Sequence, residues 1–154
     1  MDVNKNLTGA GFVIYFDNSK GILADKPKDL LYLCILGLNN KLDFPKGMID
    51  FGEYPYDCAI RETFEETNLE NDIHYTSNEN EYKEFNNRLI MYIAEINSPE
   101  DMSKIIFKPN PHSGIKEHTD YFWYSIDECR EDLLDYLVPV IEWANNELDF
   151  KLSR

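Results

Sequence analysis

The sequence predicts one α/β domain, and three observations predict it. Four short apolar runs rich in β-formers are spread along the chain: Gly11–Phe16, Leu30–Leu36, Arg88–Ile96 and Asp120–Tyr124. Between the second and third lies a stretch with helical periodicity, beginning at Pro55. The chain has 154 residues, 43% of them hydrophobic and 14% aromatic. That is enough to bury a core and is the length of one ordinary domain, so residues 1–154 are expected to form a single unit.

Taken in order, Gly11–Phe16 (GFVIYF) and Leu30–Leu36 (LLYLCIL) read as buried strands joined by a polar loop over residues 18–28, and as antiparallel neighbours. Gly37-Leu38-Asn39-Asn40 is a turn signal. Lys41–Lys46 is extended, because Pro45 disfavours helix at Phe44. Residues 47–54 carry two glycines and read as a loop.

A helix then starts at Pro55, which suits a first helical position because its missing N–H costs nothing there. Tyr56, Ala59, Ile60, Thr63 and Phe64 form its apolar arc. Glu62, Glu65 and Glu66 form a separate acidic arc, expected to turn away from the core. Asn68 is a natural stop in the left-handed conformation.

Residues 71–83 read as polar and irregular, and 97–116 as a long loop of the kind that often carries function. Ser125-Ile126-Asp127-Glu128 is a capping box that opens a helix. Residues 133–150 read as a last helix, interrupted or begun anew at Pro139.

Fifteen Lys and Arg against 29 Asp and Glu give a net charge of −14. This weighs against a large nucleic-acid surface, and DNA is not an expected partner. Cys34, Cys58 and Cys129 have no metal-ligand spacing and read as reduced, buried thiols. The N-terminus lacks a signal-peptide pattern and no run approaches a membrane span, so a cytoplasmic protein is expected.

Glu62, Glu65 and Glu66 stand at i, i+3 and i+4, so three like charges share one helical face. Such a face is either simply solvated or neutralised by a cation. The flanking residues favour the cation. Gly47 is followed after five residues by Glu53, and after seven more by Arg61-Glu62, then Glu65-Glu66 and Leu69. This pattern resembles the box of the Nudix hydrolase family. Thr63 replaces its first aliphatic position and Asn68 its last glycine. Both departures are mild, since Thr63 is β-branched and Asn68 can adopt the same backbone.

The resemblance implies an α/β/α sandwich with a mixed β-sheet, and hydrolysis of a diphosphate linkage assisted by Mg²⁺ or Mn²⁺. It implies that Glu62, Glu65, Glu66 and the Gly47 carbonyl hold the metal. It also implies that Arg61 orients the cluster while paired with a mainly structural Glu53. A further carboxylate, ligand or general base, is expected from Glu117, with His118 and Asp120 as near alternatives. Lys46, just before Gly47, is the best candidate for a phosphate-binding cation, and the string Phe44-Pro45-Lys46-Gly47 looks like the entry to the box in diadenosine polyphosphate hydrolases and mRNA-decapping enzymes.

Lys41, Arg88, Lys108 and Lys116 are further candidates for phosphate contacts, each against the plainer reading of a solvated charge. Tyr54, Tyr82 and Tyr121 are candidates to stack on a base, against the plainer reading of packing.

Three substrate classes fit a Nudix hydrolase of this kind. Dinucleoside polyphosphates suit the short chain and acidic surface. An mRNA cap suits the wording around the box, yet the acidic final helix argues against gripping RNA. Diphosphoinositol polyphosphates require a dense cationic pocket. A binding module without turnover is the alternative of another class; such modules typically lose a carboxylate, and this chain keeps all three. Oligomeric state is not encoded in any of these signals.

Overall fold

The computed structural model describes residues 6–152. Seven strands form one sheet: β1 (Gly9–Asp17), β2 (Leu30–Gly37), β3 (Leu42–Asp43), β4 (Lys46–Met48), β5 (Tyr75–Phe85), β6 (Leu89–Ile96) and β7 (His118–Tyr124). The helices are α1 (Pro55–Thr67), α2 (Ile126–Asp132) and α3 (Val138–Leu152). The main path of the sheet runs β3-β2-β1-β6-β5, with β4 on β1 and β7 on β2. β1 and β6 are parallel and the other pairs antiparallel, so the sheet is mixed.

The central strands are continuous apolar runs because both faces of the sheet are covered. Phe12, Ile14, Leu31, Leu33, Ile90 and Tyr92 point toward α1 and the loop after β6. Val13, Tyr15, Tyr32, Cys34, Met91 and Ile93 point toward α2 and α3. Strand alternation thus feeds two cores, and the three layers are the sandwich expected. The three thiols are free and buried, with Cys34 and Cys129 Sγ atoms 3.4 Å apart. Among the described residues no helix is long and apolar enough to cross a membrane.

Local signals hold at several ends. Pro55 opens α1, and Asn68 closes it at φ 68° with its N–H on the Phe64 carbonyl at 2.8 Å. Ser125 and Glu128 form both bonds of the capping box. α3 starts just before Pro139, after a short 3₁₀ turn at Asp135–Leu137.

Three expectations need correction. Residues 75–85 form a strand, not an irregular segment. Among the described strands β5 pairs with β6 alone, at the sheet edge, so many of its side chains stay wet, and a register shift between Ser77 and Tyr82 breaks the alternation. Gly47 and Met48 belong to β4 rather than to a loop. The acidic arc of α1 does not turn away from the interior: β4 lies along it, with Cys58 Sγ 3.4 Å from the Met48 carbonyl. Phe64 is the residue turned outward instead.

Candidate active site

Arg61 is the hub of the acidic helix. Its Nε and one terminal nitrogen donate to both oxygens of Glu53, at 2.8 and 3.0 Å. The other terminal nitrogen donates to Glu62 at 2.8 Å and to Glu65 at 3.2 Å. A further bond, 2.9 Å to the Met48 carbonyl, ties the guanidinium to β4. The planar five-donor fork makes this sharing feasible. The hydrogen bonds from Arg61 hold the Glu53 carboxyl below its usual range, and those carboxylates push the guanidinium still higher. Glu53 also accepts the Asp50 N–H at 3.0 Å, so it closes the turn before α1.

Glu66 is treated differently. It is nearly buried, and its Oε1 accepts the Lys46 N–H at 2.9 Å. Burial pushes its carboxyl well above the ordinary range; the Lys46 N–H opposes this and the charge of Asp43 adds to it. Glu62 is raised too, again by burial, against the pull of Arg61. Its carboxylate lies directly on the backbone of Gly47, in the space a Cβ there would fill.

β7 enters this corner. His118 is buried between two acids, Nδ1 3.9 Å from Glu66 and Nε2 3.7 Å from Asp43. Asp43 also pairs with the Lys46 ammonium at 3.3 Å. Glu117 is exposed and accepts a bond from Asn110 at 3.0 Å. That loop is pinned by Trp123 Nε1 on the Met102 carbonyl at 2.9 Å and by the Ile106 N–H on Thr67 at 3.0 Å.

These residues line a cleft of about 780 Å³. Glu62, Glu65, Glu66, Arg61 and Asp50 form one wall, and Asn110, His112, Glu117 and His118 the other. Lys41, Asp43, Lys46 and Gly47 complete it. A second pocket of about 390 Å³ adjoins it and shares Lys46, Gly47 and Met48. The remainder of that pocket is more apolar, with Phe85, Leu89 and Tyr136, and it carries Arg88. The Lys46 ammonium lies 5.3 Å from the Tyr136 ring centre, between the two spaces.

The structure therefore gathers Gly47, Arg61, Glu62, Glu65, Glu66, Glu117, Lys41 and Lys46 at one cleft. Other candidates lie elsewhere. Glu53 is behind Arg61. Arg88 faces the adjoining pocket. Lys108 stacks on Phe64 at 4.8 Å and lines a narrow extension of the cleft, shared with Glu62, Glu65, Glu66 and Glu117. Lys116 is exposed and does not line the cleft, because its side of the loop faces solvent. Tyr121 packs on Phe107, centroids 6.3 Å apart, and Tyr82 on Tyr92 at 5.8 Å, so both are core aromatics. Tyr54 is exposed at the helix entrance and Asp120 caps its own neighbour's N–H.

Asp43, Asn110, His112, Phe85 and Tyr136 were not legible as site residues. Phe85 and Tyr136 reach the adjoining pocket only through tertiary folding; Asn110 and His112 lie in the loop singled out over 97–116, and Asp43 lies three residues before Lys46, but no spacing rule picked out the individual side chains.

The donor set suits a divalent cation. One oxygen each from Glu66 and Glu117 and one His118 nitrogen lie within 4.8 Å of one another. Glu62 and Glu65 add further oxygens, and two of these carboxylates resist ionisation because burial costs them hydration. A cation would offset that cost. Oxygen-rich sets of this kind favour hard ions.

Comparison with known proteins agrees with the geometry. The chain is 36% identical over 100 residues to the m7GpppN-mRNA hydrolase dcap-2 of Caenorhabditis elegans, a match covering 64% of this chain and 12% of that protein. The chain thus spans about an eighth of that relative's length. In fold it is similar to a C. elegans Ap4A hydrolase solved as a binary complex, with a TM-score of 0.68 and 23% identity over 91% of this chain and 97% of that one. RenU, a Nudix hydrolase from M. smegmatis, also superposes with a TM-score of 0.68, at 13% identity, over 96% of this chain and 88% of that one. The NUDIX domain family model matches residues 9–144, and the chain belongs to the Nudix hydrolase family.

Proposed function

We propose that this chain is a divalent-metal-dependent pyrophosphohydrolase whose substrate is a dinucleoside polyphosphate such as diadenosine tetraphosphate. The observation that carries the substrate class is the pair of adjoining pockets that meet at Lys46, Gly47 and Met48. The acidic cleft suits a metal-bound diphosphate. The apolar pocket, with Phe85, Tyr136 and Arg88, suits a nucleoside attached to it. The fold shared with an Ap4A hydrolase across nearly the whole of both chains is consistent with this.

In this reading Glu62, Glu65, Glu66, the Gly47 carbonyl and Glu117 hold Mg²⁺ or Mn²⁺. When bound, the ion neutralises phosphate charge and activates a water for attack. Arg61 keeps Glu62 and Glu65 aimed, with Glu53 behind it as its anchor. Lys46 and Lys41 meet the phosphates. Glu117, exposed at the mouth of the cleft, serves in this reading either as that ligand or, left free of the ion, as the base that takes a proton from an incoming water.

A capped RNA is the second reading, favoured by the 36% identity to dcap-2. The acidic chain offers few of the phosphate contacts that RNA binding uses. A diphosphoinositol polyphosphate is less favoured: Lys41 and Lys46 line the cleft and Lys108 its narrow extension, while Lys116 lines neither, which is fewer cations than so dense a polyanion calls for.

The test is a parallel assay of diadenosine tetraphosphate, capped RNA and a diphosphoinositol phosphate, with products identified, with Mg²⁺ or Mn²⁺ and with EDTA. Hydrolysis of diadenosine tetraphosphate at the highest kcat/KM, lost in EDTA, is expected. Faster cleavage of the cap replaces the substrate reading. Full activity in EDTA sinks the metal mechanism.

A further inference from the structure

We propose that Asp43 is a positioning residue that holds the Lys46 ammonium at the junction of the two pockets. The inference rests on the function proposed above for Lys46 and names a residue that works behind it.

Asp43 is built rigidly. It ends β3, opposite Ile35 of β2. The carbonyl of the preceding Leu42 accepts the Leu134 N–H at 3.0 Å. Its own Oδ1 accepts the Phe44 N–H at 2.8 Å, which fixes the carboxylate's rotation. The Phe44 ring is fully buried. From this base the carboxylate reaches Lys46 Nζ at 3.3 Å, with both side chains largely shielded from solvent.

A lysine has four rotatable side-chain bonds and no fixed direction of its own. At Lys46 two contacts supply the direction. Asp43 holds the ammonium from one side, and the Tyr136 ring faces it at 5.3 Å. Leu134, which ties to β3, lies two residues before Tyr136, so both contacts are hung from the same strand end. The backbone N–H of Lys46 meanwhile bonds Glu66. One residue thus links the metal-facing carboxylate, through its main chain, to the phosphate-facing cation, through its side chain.

The carboxylate itself opposes a polyanion entering the cleft. Its cost falls on binding and its benefit on geometry, and this separates it from a merely structural acid. Asp43→Asn keeps the shape and the Phe44 N–H acceptor but releases the ammonium. The expected result is a loss of about tenfold in kcat with a KM that does not rise. In a Lys46→Met background the same substitution is expected to cost clearly less kcat than in the wild type, the remainder reporting the other neighbour of Asp43, His118 Nε2 at 3.7 Å. A crystal structure of Asp43→Asn is expected to show Lys46 Nζ displaced from the Tyr136 face.

An equal loss of kcat in both backgrounds, or an unmoved Lys46, overturns the proposal. Should the Asn variant fail to fold, Asp43→Ser carries the same cycle. If the wild type hydrolyses none of the three substrates, the function proposed above fails; the position of Lys46 in the variant crystal still decides for or against Asp43.

Discussion

The Glu62 carboxylate lies against the α-carbon of Gly47, where any side chain on residue 47 would have to be. The glycine is required for space rather than for an unusual backbone. It allows β4 and α1 to close on each other until a half-buried carboxylate touches main chain. Gly47→Ala therefore forces Glu62 out of place and away from Arg61. We expect metal affinity to fall by about 10–100-fold, since the residues that aim a ligand matter nearly as much as the ligand. Isothermal titration with Mn²⁺ reads this directly. An unchanged affinity means that Glu62 is not aimed by this contact.

Glu66 sets stability against function. Its folded-state carboxyl, like that of Glu62, is raised by burial, so each holds a proton more tightly folded than unfolded. Their contribution to stability is full below the ordinary carboxyl value of about 4.3 and is lost as pH rises through the raised values. Glu66→Gln removes that penalty. At pH 7.5 the metal-free variant is expected to melt about 2–4 °C above wild type, a gap that narrows toward pH 5. Its kcat is expected to fall by at least about a thousandfold, because the proposed function makes Glu66 a ligand of the metal. Thermal melts in EDTA at several pH values, with kinetics alongside, check both parts. A variant that melts lower than wild type at pH 7.5 contradicts the burial argument.

How much of this was visible in the sequence depends on the range of the interaction. α1 was legible to the residue because Pro55, Asp57 and Asn68 act locally, and its acidic triplet is a matter of helical spacing. The central strands were legible because burial on two faces leaves continuous apolar runs. β5 was not, because an edge strand is held by backbone pairing to β6 and needs few apolar side chains. At the site, every residue of the box could be named from fixed intervals. Tyr136 could not, since it meets Lys46 only when β3 and the turn before α3 are brought together; Asp43 pairs with Lys46 three residues away, but no spacing rule marks that pair as part of a site. Tyr121 shows the converse: an aromatic near a candidate acid in sequence packs on Phe107 and does not line the cleft, so nearness in sequence did not distinguish stacking from packing.

Arg61 bonds Glu53, Glu62, Glu65 and the Met48 carbonyl together. Lysine carries the same charge but only one nitrogen, so Arg61→Lys cannot keep both oxygens of Glu53 while reaching the helix. A loss of about 1–3 kcal/mol in unfolding free energy is expected, typical of breaking a partly buried charged network. Urea denaturation with and without Mn²⁺ measures it. The metal is expected to recover part of the loss, because it supplies positive charge to the same carboxylates. A variant as stable as wild type shows that the network is held by the backbone rather than by the guanidinium.

Tyr136 offers the sharpest test of the adjoining pocket. Its ring is part-exposed, borders that pocket, and also faces the Lys46 ammonium. A base stacked on the Tyr136 ring gains about 1–3 kcal/mol. Tyr136→Ala is then expected to raise the KM for diadenosine tetraphosphate about tenfold, while Tyr136→Phe, which keeps the ring face and loses only the hydroxyl beside the Lys46 ammonium, is expected to lose clearly less. The comparison substrate is inorganic tripolyphosphate, which has no base to stack. Its affinity, measured by competition, is expected to change less than that of the dinucleotide. An equal loss for both ligands places the effect of Tyr136 on Lys46 and leaves the pocket without a base.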